Sequence, residues 1–147
     1  MAGEKGTTWA NNLLAAVFTA TFTGGAISSL MQNAGSPLTN LYVSLHSADP
    51  TSSGSQNSNE VAYTNYARAT VARTSGGWTV TSNQVVPAAT ISFPACGGGS
   101  ATAAYFGIGT ASSGAGNLLY AGPLSPSISI SSGVTPQIST SSTLTES

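Results

Sequence analysis

The sequence predicts an all-β chain: a single antiparallel β-sandwich of jelly-roll type, entered through a short N-terminal helix. Three observations lead there. From Leu41 onward apolar residues recur with a period of two, the spacing of side chains on one face of a strand. The alternating runs are short, and Gly-, Ser- and Pro-rich turns separate them without the helices that parallel crossovers need. More than a quarter of the chain is Ser or Thr, so hydroxyls replace Lys and Glu on the solvent faces, where β-branched Thr suits a strand.

The elements follow in order. Residues 7–18 read as a helix capped by Thr7 or Thr8, with Trp9, Leu13 and Val17 at i, i+4 and i+8 and Leu14 and Phe18 widening the stripe. Gly24-Gly25 is a stop signal, with Thr19, Thr21, Thr23 and Phe22 equally able to extend as strand before it, and a short helical turn is expected around 26–32 before Gly35 and Pro37. We take 1–36 as an N-terminal helical arm and 37–147 as the sandwich, one domain overall. Strands are expected at 41–47, 67–73, 78–81, 89–93, 103–110, 118–124, 127–131, 135–140 and 143–146. Between the first two, 51–59 is a polar loop of Ser, Gly, Gln and Asn. In the tail, Ile128, Ile130, Val134, Ile138 and Leu144 interrupt the serines, which favours strands over a low-complexity stalk.

Charge is the anomaly of the composition. Three basic and four acidic residues make 5% of the chain, and the net charge is -1; a typical share is about 25%. Three cations neutralise at most about three phosphates, so no nucleic acid partner is expected, and a polybasic membrane patch is excluded on the same ground. A chain with so little electrostatic repulsion tends to associate, and the composition fits life in an assembly. The apolar run Leu13–Phe18 is diluted by Asn11, Asn12 and threonines, so neither a signal peptide nor a membrane partner is expected.

Catalytic chemistry finds no footing. His46 is the sole imidazole, Asp49 is the only acid near it, and no Gly-x-Ser-x-Gly elbow is present. Cys96 is a lone thiol with no cation close in sequence, and neither a metal ligand set nor a cofactor motif is complete. Gly107-Ile108-Gly109 resembles the start of a dinucleotide fingerprint without the helix that should follow; in a β protein such glycines permit bulges or close packing. We therefore expect no enzyme, no cofactor and no metal. Tyr63, Tyr66 and Trp78 form a candidate sugar-stacking platform, with an aromatic core as the alternative. Arg68 and Arg73 are candidates for an ion pair with Glu60 or Asp49, or for contact with a neighbouring subunit. The candidate partner contacts are thus Trp9, Leu13, Leu14, Val17, Phe18, Arg68 and Arg73.

Several segments resemble a family of small tailed-bacteriophage virion proteins, often labelled tail-fibre proteins. They are Asn12-Leu13-Leu14 with Gly24-Gly25, the run Leu41–Pro50, Tyr66-Ala67-Arg68 through Arg73, and Gly77-Trp78. Ile91–Pro94, Phe106–Thr110, Gly116–Gly122 and Ser132–Pro136 complete the set, in order over most of the chain. The chain is also similar to podovirus capsid cement, or decoration, proteins, which are single jelly rolls. No heptads or fibrous repeats of a shaft are visible, so the resemblance implies a cement protein on the capsid exterior. Its expected partners are the major capsid protein and a second copy of itself as a homodimer. The alternative is a tail-fibre or tail-tip component that binds a host surface glycan.

Overall fold

The computed structural model describes residues 7–22, 37–51 and 54–146, and the architecture is mostly β with one helix. The elements are α1 (Thr7–Phe18), β1 (Asn40–His46), β2 (Ala69–Ala72), β3 (Trp78–Thr81), β4 (Gln84–Pro87) and β5 (Ile91–Ser92). They continue with β6 (Ser100–Gly109), β7 (Leu118–Ser131), β8 (Gln137–Ile138) and β9 (Leu144–Thr145). The strands form a four-stranded sheet in the order β2-β1-β6-β7, a three-stranded sheet β3-β4-β9 and a two-stranded sheet β5-β8. The pairs β1–β6, β6–β7, β3–β4, β4–β9 and β5–β8 are all antiparallel. Among the described residues no helix is long and apolar enough to cross a membrane.

Contacts group the chain into two compact units. One comprises 1–39, 72–90 and 139–147; the other comprises 40–71 and 91–138. In the first, α1 packs on β3 and β4. Its buried line is Ala10, Leu14 and Phe18, with Ala16 beside it, whereas Trp9, Leu13 and Val17 are only partly covered. The apolar stripe read from the sequence is therefore rotated by one residue. Phe18 sets that rotation by meeting the Trp78 ring edge-on, with centroids 4.8 Å apart. Trp78 Nε1 is buried and has no hydrogen-bond partner among the described residues. A two-residue turn, with Ser82 at φ 57°, joins β3 to β4. The sequence reading missed β4 because Pro87 marks a strand break; here Pro87 ends the strand, opposite Trp78.

In the second unit β1 lies inside its sheet, and both of its faces are covered. Leu41, Val43 and Leu45 are buried on one face, and Ser44 and His46 on the other. The unit's other buried apolar residues include Ile91, Phe93, Cys96, Ala103, Ile108, Ile130 and Ile138. β7 is one continuous strand where two were expected. Its pairing with β6 breaks register between Pro123 and Ile128, so residues 124–127 are accommodated as a bulge. The expected strands at 89–93, 135–140 and 143–146 shrink to two paired residues each. The helical turn expected around 26–32 lies outside the described residues.

Candidate functional site

Most of the residues singled out for chemistry, His46, Asp49, Glu60, Tyr63, Tyr66 and Arg68 among them, lie in the second unit, where the segment after β1 folds back on β1. His46 bridges Glu60, and Val61 N donates to Leu45 O at 2.9 Å, so residues 58–61 run beside the end of β1. This carries Glu60 to Arg68. The pair is bidentate: Arg68 Nε donates to Glu60 Oε1 at 2.8 Å and Nη2 to Oε2 at 2.7 Å. The guanidinium also donates to Ala111 O (2.8 Å) and Gly114 O (2.6 Å), clamping the β6–β7 loop. Tyr66 adds its hydroxyl to Glu60 Oε1 at 2.7 Å and receives the Leu45 amide at 3.1 Å. Burial drives the Tyr66 hydroxyl's pKa far above its ordinary range, and the Glu60 charge reinforces this. Arg68 is thus the ion-paired arginine foreseen from sequence, with Glu60 as its partner. With its side chain 2% exposed, it is withdrawn from the candidate partner contacts.

His46 is fully buried in the same network. Its Nδ1 lies 2.7 Å from Ser58 O and therefore carries the proton, while Nε2 lies 2.8 Å from Ser44 Oγ and accepts from it. Burial, the largest influence, lowers the imidazole's pKa; the Ser58 hydrogen bond and the Glu60 charge oppose it, and Arg68 assists. A hydroxyl on an imidazole superficially matches a nucleophile and its base. Ser44 and His46 are both 0% exposed, and the ring is oriented by a main-chain carbonyl, so no substrate can reach the hydroxyl. Asp49, the acid considered for a triad, is exposed and binds Thr51 N and Oγ1. Those hydrogen bonds hold its carboxyl below the usual range.

The glycines flanking Ile108 are explained by close approach. A Cβ on Gly107 would sit 2.6 Å from His46 Nε2 and 2.9 Å from Ser44 Oγ. One on Gly109 would run into the carboxamide of Gln56 and sit 2.6 Å from Asn117 O. Gln56 is 0% exposed and donates from Nε2 to Tyr42 O at 2.7 Å. Sequence reasoning passed over it, because a buried Gln inside a run of Ser and Asn carries no local signal; the Gly-x-Gly opposite was its only trace.

The stacking platform is not assembled. Tyr63 is 8% exposed with its hydroxyl on Pro94 O at 2.9 Å, Trp78 is 2% exposed, and the Tyr66 ring stands edge-on to Tyr63. These are core aromatics. In the first unit Arg73 caps the end of α1: Nε donates to Val17 O at 2.6 Å, Nη2 to Ala16 O and Nη1 to Leu38 O at 3.1 Å. Leu14 and Phe18 are 0% exposed and also leave the set of partner contacts, because the chain's own core consumes them. Of that set, Trp9, Leu13, Val17 and Arg73 keep partly exposed surface. Among the described residues no cluster of three or more His, Cys, Asp or Glu could hold a metal.

Residues 4–145 match the model of a protein family described as podophage GP4 fiber I protein gp80. The chain belongs to this family. It is accordingly a structural protein of the phage virion, a tail-fibre component and not an enzyme. The match spans nearly the whole sequence and includes the Glu60–Arg68 network, His46 and both flanking glycines. The fibre family favours the tail-fibre reading over the capsid-cement reading that headed the sequence expectations. No curated protein matches the chain.

Proposed function

We propose that the chain is a tail-fibre structural component whose neutral, hydroxyl-rich surface meets a host surface glycan. The family match over residues 4–145 carries the fibre placement. The glycan reading is supported by surface chemistry: Ser and Thr hydroxyls both donate and accept, as sugar hydroxyls do. With 5% charged residues, the surface offers little attraction for an anionic polymer. Tyr42 and Tyr105 are among the partly exposed aromatics of the described residues and offer ring faces for stacking. We read the four- and two-stranded sheets of the second unit as a small jelly-roll-type sandwich, in keeping with their antiparallel pairing.

The scarcity of charge also fits a cement protein on the capsid exterior, with the major capsid protein as partner and Trp9, Leu13, Val17 and Arg73 as contacts. Copy number per particle separates the two readings. Quantitative mass spectrometry of purified virions, scaled to the major capsid protein, should find a handful of copies for a fibre component. Near-stoichiometric abundance would overturn the fibre reading. Binding of the purified chain to host cells, lost after enzymatic removal of surface glycans, is the expected companion result. Binding that survives removal would sink the glycan assignment.

A further inference from the structure

β7 is the outer strand of its sheet, and its three segments differ in how the free edge is protected. At the start, residues 54–55 bridge it: Leu118 N donates to Gly54 O at 3.0 Å, and Asn117 pairs with Ser55. In the middle, Pro123 and Pro126 remove two backbone donors, a usual guard against strand addition. The last five residues, Ser127-Ile128-Ser129-Ile130-Ser131, have neither protection among the described residues, and of their backbone groups the Ser131 carbonyl accepts from Val134 N at 2.9 Å. They hold no proline and no charge, and no charged residue lies anywhere between Arg73 and Glu146. Ser127, Ser129 and Ser131 are exposed, while Ile128 is half-buried and Ile130 is buried on the opposite face.

We propose that this segment pairs antiparallel with the same segment of a second copy of the chain, about a two-fold axis through Ser129. The occupant follows from the sequence of the edge, which reads the same in both directions from Ser129. An antiparallel two-fold places Ser129 opposite itself, Ile128 opposite Ile130 of the second copy, and Ser127 opposite Ser131 of the second copy. Isoleucine then meets isoleucine on the covered face and serine meets serine on the exposed face, with no like charges opposed. The pairing supplies about four backbone hydrogen bonds, since the Ser131 carbonyl of each copy is held by Val134 N. Its area is far below the ~1,200–2,000 Å² of a stable complex, so it forms where copies are held at high local concentration, as in a particle.

Disulfide trapping tests both the contact and its register. In Ser129→Cys the new thiols face each other, within bonding reach; in Ser127→Cys the equivalent positions lie about 13 Å apart, beyond it. Cys96 is buried, so the wild-type chain is the blank. Under mild oxidation of concentrated protein, Ser129→Cys should yield at least roughly tenfold more covalent dimer than Ser127→Cys or Ser131→Cys alone. A mixture of Ser127→Cys and Ser131→Cys should cross-link as Ser129→Cys does. No excess dimer from Ser129→Cys, or equal yield from Ser127→Cys alone, would overturn the proposal. All three sites are exposed serines.

Discussion

The substitution Glu60→Gln keeps the shape of the Arg68 network and removes its only negative charge. The Arg68 side chain is 2% exposed and Glu60 is 16% exposed, so the pair is largely desolvated. The carboxamide of the variant could still accept from the guanidinium, and Ala111 O and Gly114 O would be unchanged, but the cation would be buried with neutral acceptors alone. Uncompensated buried charge costs about 3–5 kcal/mol, a large part of a domain's total of about 5–15. For a chain of this size that lowers Tm by roughly 10–20 °C. Urea titration followed by far-ultraviolet circular dichroism measures the loss directly. The double variant Glu60→Gln/Arg68→Met should be clearly less destabilised than the two single costs added, because neither charge is then stranded. A single-variant cost below about 1 kcal/mol, or simple additivity, would refute a buried and coupled pair.

The remaining predictions concern the same packing. Burial lowers the His46 pKa in the folded chain, so the unfolded chain binds the proton more readily below about pH 6.5. Stability is then full above that pH and falls as pH drops towards the folded value, by no more than about 1.4 kcal/mol per pH unit; urea midpoints at several pH values for wild type and His46→Gln check it, the variant losing this component. Gly107→Ala and Gly109→Ala should each cost about 1–3 kcal/mol through overpacking, whereas Gly76→Ala, with its nearest atom 3.6 Å away, should be close to neutral in thermal denaturation. Arg73→Met removes the donors on Ala16 O, Val17 O and Leu38 O, and hydrogen exchange should show faster opening of α1, with about 1–2 kcal/mol lost. Leu14→Ala should cost about 2–5 kcal/mol, and Leu13→Ala much less; equal costs would contradict the rotated stripe.

Much of the local structure was legible. The helix has the bounds its spacing implied, Thr7–Phe18, and β3 covers the expected 78–81, because a helix period and a Gly-Gly turn are properties of neighbouring residues. Gln84–Pro87 was hidden because it is a strand only through its ladders to β3 and β9, which outweigh the proline at its end. The site divided in the same way. An ion pair with Glu60 or Asp49 was one of two readings the sequence offered for the arginines, beside contact with a neighbouring subunit, and the choice of Arg68 and Glu60 needed the return of residues 58–61 along β1.

By itself the sequence determined the class of the molecule. Alternation, turn chemistry and the dearth of charge are countable along the chain and led to a β-rich fold, while the ordered run of motif segments carried the resemblance to phage virion proteins. Tertiary structure alone decided that β1 pairs with β6, some sixty residues further on, which of two arginines is buried, and which line of the helix is core. It also decided for the core over a stacking surface at Tyr63 and Trp78. The reason is solvation: whether a group is wet or dry depends on residues that sequence spacing does not bring together. In this chain that single difference separates a binding residue from a structural one.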